Sequence, residues 1–301
     1  MKPRSAYRFL RATRPFTFSV AIAACGLGTI LALREGYGHP ALAVLIVATG
    51  ILLQAAVNLI NDHADLPMLK QEHAGAPPDR QAEVAAVMAA IRRNFRIGMA
   101  FLAIAFLVGL GLVWMRGWPL LVFILVGLAG AYFYSGEPIH YKRRGLGVIL
   151  VFWLMGVLLV GGSALAMGAP LTLEILLISI PFSLLTSLVL LGNEIRDQVA
   201  DRQSGLRTLT VRIGPHRARY LFFVLLLSIY LSSFMLWWGG LVPYFWPQLL
   251  SLPLAWPAAR AVWKESGDRR WLPQQTGRLL AVFAVLFLSE YLVEGWVTSQ
   301  A

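Results

Sequence analysis

About nine apolar runs, each roughly as long as a bilayer core is thick, divide the 301-residue chain. They fall at about 15–33, 40–60, 95–115, 118–134, 147–168, 171–192, 220–239, 241–262 and 279–298. A helix of about 20 such residues crosses the hydrocarbon and closes its backbone hydrogen bonds within its own segment. The chain is 58% apolar and only 14% charged, with a mean hydropathy of +0.67. A soluble domain is about a quarter charged. These values exclude an ordinary soluble fold and predict an all-α integral membrane protein, one polytopic domain over residues 1–301. The eighth run contains Pro243, Pro247, Pro253 and Pro257. A kinked or re-entrant segment is the alternative to a straight span there.

A net charge of +11 would suggest nucleic acid in a soluble protein. Here all 26 lysines and arginines except Arg34 and Arg116 fall at one set of span ends. Basic residues mark cytoplasmic loops, which places the N-terminus inside and the C-terminus outside. Membrane lipid is the expected surrounding, in the cell (inner) membrane, and no nucleic-acid partner is expected. Cys25 is the only cysteine, so neither an intramolecular disulfide nor a cysteine-based metal site can form. The first run is too long for a signal-peptide core and reads as a retained span.

The polar chemistry concentrates after the second and sixth runs. Asn58, Asp62 and Asp65 stand at i, i+4 and i+7, on one face of a helix, with Asn61 beside them. Asn193, Asp197 and Asp201 recur every four residues on another. Either stripe alone could simply end a helix in water. Two at equivalent positions predict oxygen ligands for Mg²⁺ carrying a phosphorylated substrate. The equivalence also suggests two four-helix groups plus one added helix, with the polar chemistry facing the cytoplasm.

Arg196, Arg202 and Arg207 lie beside the second stripe. Each could be a loop charge or a guanidinium that neutralises a leaving diphosphate. Gly205 is placed to make the turn before Arg207-Thr208-Leu209. Tyr132 and Tyr141 read as interfacial anchors, while Tyr134 could face a carbocation. Glu290 is the one acid well inside a span and must be protonated, paired or facing a cavity. The loop from Leu66 to Gln81 contains Pro67, Gly75, Pro77 and Pro78 and is expected to be irregular. The histidines show no metal spacing, and His63 points away from the first stripe.

Together these residues resemble the UbiA superfamily of intramembrane prenyltransferases, most closely the branch that prenylates 1,4-dihydroxy-2-naphthoate in menaquinone synthesis. The resemblance lies in Asn58-x-x-Asn61-Asp62-x-x-Asp65 and in Asn193-x-x-Arg196-Asp197-x-x-x-Asp201-x-x-x-Gly205-x-Arg207-Thr208-Leu209. It extends to Arg14-Pro15, Tyr134-Ser135-Gly136 and Arg144-Gly145-Leu146-Gly147. It implies nine helices around a central cavity open to the cytoplasm, a polyprenyl diphosphate donor and an aromatic acceptor. It also implies Mg²⁺ on Asp62, Asp65, Asp197 and Asp201, which act with Arg207 in catalysis. Asn58, Asn61, Asn193, Arg196, Arg202, Tyr134, Lys142 and Arg144 are implied to bind substrate. Leu69 stands where many members carry a third carboxylate, and Pro67 departs from the usual branch, which leaves the acceptor open. A hydroxybenzoate, tetrapyrrole or lipid acceptor is the alternative within the superfamily, and a cation-coupled transporter the alternative outside it.

Overall fold

A computed structural model describes residues 7–64, 66–72, 77–264 and 266–300. All regular structure among them is helical. The helices used below are α1 (Phe18–Arg34), α2 (Pro40–Ala64), α3 (Leu66–Glu72), α4 (Pro78–Arg116), α5 (Trp118–Ser135) and α6 (Gly147–Met167). They continue with α7 (Ile180–Gln203), α8 (Leu209–Trp238), α9 (Leu252–Trp263) and α10 (Leu272–Gln300). Among the described residues seven segments are long and apolar enough to cross a membrane, and Trp118–Tyr134 is a shorter apolar helix. The chain is a multi-pass membrane protein.

The expected span over 241–262 does not form as one helix. It divides into Trp246–Leu249 and α9, of 4 and 12 residues. Pro247 and Pro253 each sit in the first turn of a new helix, where a missing N–H costs little but the preceding helix cannot continue. Glu290 of α10 braces this broken segment. It is 2% exposed and accepts a hydrogen bond from the buried Gln248 side chain, so the intramembrane acid is paired.

Neighbouring helices pack in the sequence α1–α2–α4–α5–α6–α7 around a central cavity. Behind this wall α8 pairs with α7, and α10 packs on both α1 and α7. The closest approaches rest on glycines, as is usual where helices associate in lipid. A Cβ on Gly28 of α1 would come within 2.2 Å of the Val160 carbonyl oxygen, and one on Gly156 of α6 within 2.0 Å of Ser183 Oγ. Gly156 lies in a π turn, Phe152–Val157, whose Leu154 and Met155 line the cavity.

The segment expected to be irregular is partly ordered. Leu66–Glu72 is helix α3, with Pro67 tolerated in its first turn. Residues 73–76, which include His73 and Gly75, lie outside the described residues. Helix α4 has 39 residues and is about 58 Å long, so it outruns a hydrocarbon core of about 30 Å. On its projecting part, Tyr7, Leu66, Val87 and Ile91 form a second small apolar cluster, with Leu69 packed against it. Leu69 therefore anchors α3 to α4 rather than supplying a ligand.

Candidate active site

The described members of the two stripes lie in the C-terminal halves of α2 and α7, and all face the central cavity. Its volume is about 890 Å³, apolar along most of its depth and polar at the helix ends that carry the motifs. Asn58, Asn61, Asp62, Tyr134, Lys142, Asn193, Arg196, Asp197 and Asp201 all line it. Asp65 lies outside the described residues.

On the α2 side, Asn58 and Asp62 are buried, at 5% and 9% exposure. The Asn58 amide donates to the Thr13 carbonyl and to Thr17 Oγ1, both at 2.9 Å. This clamps the N-terminal segment against α2. Between them Arg14 adopts a left-handed backbone, φ 51°, joining the helix Phe9–Ala12 to the 3-10 turn Pro15–Thr17. That conformation is costly for a residue with a Cβ. It delivers the guanidinium into the cavity, where Arg14 Nη2 donates to Asp62 Oδ1 at 2.5 Å. His63 points away, stacked on Phe95 with centroids 4.1 Å apart.

On the α7 side, Arg196 grips its neighbour Asp197 with two bonds, Nε to Oδ1 at 2.7 Å and Nη2 to Oδ2 at 2.5 Å. Asp201 Oδ2 accepts from Thr208 Oγ1 at 3.2 Å, and Thr208 is fully buried. The turn between them runs through Gly205 at φ 71°, a left-handed position as the sequence required. Glu194 also lines the cavity, and its Oε2 accepts from the Thr210 backbone N–H at 3.2 Å. The start of α8 is thereby fixed to α7.

The third wall is the loop after α5, which folds back on itself. The Tyr141 N–H donates to the Phe133 carbonyl at 2.9 Å and the Lys142 N–H to the Tyr134 carbonyl at 3.1 Å. Tyr134 and Tyr141 meet edge to face at 5.3 Å, and Lys142 Nζ stands 5.9 Å from the Tyr134 ring centre. Tyr141, read from sequence as an anchor, is 4% exposed and lines the cavity. Burial pushes its phenol pKa up, so the hydroxyl stays neutral at physiological pH.

Two expected substrate ligands, Arg144 and Arg202, and the expected catalytic Arg207 stand elsewhere. Arg144 is exposed and donates to the Pro138 carbonyl. Arg207 is exposed, and its carbonyl accepts from Arg212 Nε. Arg202 turns to a separate recess on the far side of α7. Sequence reasoning missed Arg11, Arg14, Tyr141, Glu194 and Thr208 as lining residues. Arg14, with Pro15, and Thr208 carried a signal, each as part of the resemblance.

Among the described residues the polar end offers hard oxygen ligands for a metal: the carboxylates of Asp62, Glu194, Asp197 and Asp201 and the side-chain amides of Asn58, Asn61 and Asn193. Among the described residues no three carboxylate, histidine or cysteine side chains enclose an ion unaided. This donor set fits Mg²⁺, which takes one or two carboxylates and completes its shell with phosphate oxygens and water.

Residues 19–287 match the UbiA prenyltransferase family. The 1,4-dihydroxy-2-naphthoate octaprenyltransferase of Escherichia coli (strain K12) is 32% identical over 273 residues, 85% of this chain and 85% of its own. Its counterpart from Mycobacterium leprae (strain TN) is 27% identical over 299 residues, covering 97% of this chain and 98% of its own. Among solved structures, a UbiA homolog from Archaeoglobus fulgidus bound to GPP and Mg²⁺ aligns with a TM-score of 0.65 at 16% identity, covering 95% of this chain and 98% of its own. The apo UbiA homolog from Aeropyrum pernix K1 aligns at 0.60 and 20% identity, covering 95% and 98%. With the match running from α1 into α10 and the same fold in solved relatives, the chain belongs to the UbiA prenyltransferase family and is a membrane-embedded transferase.

Proposed function

We propose that the protein transfers a polyprenyl group from a polyprenyl diphosphate to 1,4-dihydroxy-2-naphthoate, giving the hydroquinone demethylmenaquinol. One observation carries the reading: two carboxylate-bearing helix ends converge on the polar end of a cavity that is otherwise apolar. A diphosphate belongs at the polar end and an isoprenoid chain at the apolar one. The naphthoate acceptor rests on the relatives named above. The bias of basic residues puts the polar end and the N-terminus on the cytoplasmic side of the inner membrane.

Asp62, Asp65, Asp197 and Asp201 would hold Mg²⁺, which when bound supplies Lewis-acid stabilisation of the leaving group. Asn58, Asn61 and Asn193 line the same polar end and would bind substrate beside those carboxylates. Arg14, Arg196 and Lys142 place positive charge where the diphosphate leaves with the C1–O bonding pair. The Tyr134 and Tyr141 faces border the allylic cation that remains. The helical walls exclude water from it. A ring carbon of the acceptor then bonds to C1, and loss of the ring carboxylate as carbon dioxide restores aromaticity.

The test is product formation by purified protein with Mg²⁺, a polyprenyl diphosphate and 1,4-dihydroxy-2-naphthoate, read by mass spectrometry. A prenylated, decarboxylated product that disappears with EDTA is expected. Diphosphate binding without that product would move the acceptor to a hydroxybenzoate, tetrapyrrole or lipid. Failure to bind the diphosphate would overturn the reading.

A further inference from the structure

Helix α7 has two polar faces. Asp197 and Asp201 face the central cavity, while Gln198 and Arg202, each one residue further and about 100° around the helix, face outward. There they meet Arg219 of α8 and Arg269 of the 3-10 helix Ser266–Trp271 in a recess of about 510 Å³. Its remaining walls are Val199, Gln203 and Pro215. Gly214, at φ 82°, kinks α8 beside Pro215 and shapes this wall.

Three guanidiniums share this recess, and among the described residues no acid lines it. Among the described residues none of the three makes an ion pair. Arg269 is 5% exposed, and its Nε donates to the Lys264 carbonyl at 2.8 Å. The Arg219 guanidinium lies 5.3 Å from the centre of the Trp263 ring, and its buried Nε has no hydrogen-bond partner. Arg269 is buried and Arg219 partly so, while Arg202 is exposed at the edge. Like charges gathered around partly desolvated guanidiniums, without a counter-charge among the described residues, favour an anion. The planar fork of arginine matches phosphate oxygens. Beside Arg219, Tyr220 and Trp263 are half-exposed and meet edge to face, an arrangement suited to the level of lipid headgroups.

We propose that Arg202, Arg219 and Arg269 form a second anion site, separate from the catalytic cavity, that binds phosphate. The flanking aromatics favour an anionic phospholipid headgroup as its source, and a free phosphate or diphosphate presents the same chemistry.

Delipidated full-length protein would be titrated with phosphatidylglycerol, phosphatidylcholine, inorganic phosphate and diphosphate, with retention read by native mass spectrometry. Phosphatidylglycerol is expected to bind in preference to phosphatidylcholine, and Arg202→Gln with Arg219→Gln to weaken it by about tenfold or more. Variant-sensitive binding of phosphate or diphosphate alone would support the phosphate site and assign it a soluble ligand. Equal binding by wild type and variant, or no binding of any of these probes, would overturn the proposal. Should the double variant fail to fold, Val199→Glu sets an acid at the exposed mouth (Val199 is 51% exposed) and is expected to abolish the same binding. Binding is read without turnover, so the outcome does not depend on the reaction proposed above.

Discussion

Arg14 and Asp62 are 48 residues apart and joined by a 2.5 Å charge-assisted hydrogen bond. Arg196 and Asp197 repeat the pairing on the opposite wall. Each motif thus presents a carboxylate already matched with a guanidinium, so negative charge does not accumulate at the polar end before a substrate enters. A diphosphate can draw on the same arginines as its own charge arrives. Replacing Arg14 by Gln is expected to lower kcat/KM by about tenfold or more, since hydrogen bonds to charged groups are worth ~1.5–3 kcal/mol. Arg14→Lys should recover only part of this, because an ammonium lacks the fork. Steady-state kinetics with varied polyprenyl diphosphate would check both.

Asp197→Asn removes the carboxylate charge and one of the two oxygens that Arg196 holds. Turnover should fall by about a hundredfold or more while the protein stays folded, the size typical of losing an electrostatic contact to the transition state. Asp62→Asn should behave alike. Product yield alongside a melting curve separates chemistry from folding. Near-wild-type turnover in either variant would remove these carboxylates from the reaction.

Thr208 offers a finer test. Its hydroxyl donates to Asp201 from a fully buried position at the start of α8. Thr208→Val keeps the shape but loses the donor, and activity should drop by roughly tenfold, in line with ~1–3 kcal/mol for an unmet buried hydrogen bond. Thr208→Ser should keep most of it. Comparing kcat and KM for the pair would show whether Asp201 orientation affects binding or chemistry.

The stripes were legible because helical spacing carries them: Asn193, Asp197 and Asp201 share a face in any helix, and α7 runs unbroken through all three. Arg202 was misjudged for the same reason, since one residue beyond Asp201 is already a different face. Arg14 could not be placed by periodicity. Its position depends on a left-handed turn and on Asn58 clamping Thr13 and Thr17, both tertiary facts. The run at 241–262 had the composition of a span, but hydropathy does not register that proline restarts a helix as readily as it interrupts one. Helix α3 escaped notice because its stability comes from Leu66 and Leu69 packing on α4, not from its own seven residues.

The glycine contacts predict a stability effect distinct from the catalytic ones. Gly156→Ala places a methyl 2.0 Å from Ser183 Oγ and forces α6 away from α7. A lower thermal unfolding midpoint, by several degrees, is expected from overpacking of this kind at ~1–3 kcal/mol. Gly156→Val should prevent a stable fold. Unfolding of detergent-solubilised protein, followed by tryptophan fluorescence, would report both.

Helix α4 contributes Leu102, Ala105 and Phe106 to the cavity wall, and some two to four turns nearer its start it carries Val87, Ile91 and Asn94, which hold α3 and Tyr7 in place. One stiff rod therefore serves both as a stave of the chamber and as the post of the structure above it. Any tilt that widens the chamber for a bulkier isoprenoid must swing that post, and with it the N-terminal segment that delivers Arg14. The width of the tail's compartment and the placement of charge at its head are mechanically a single variable.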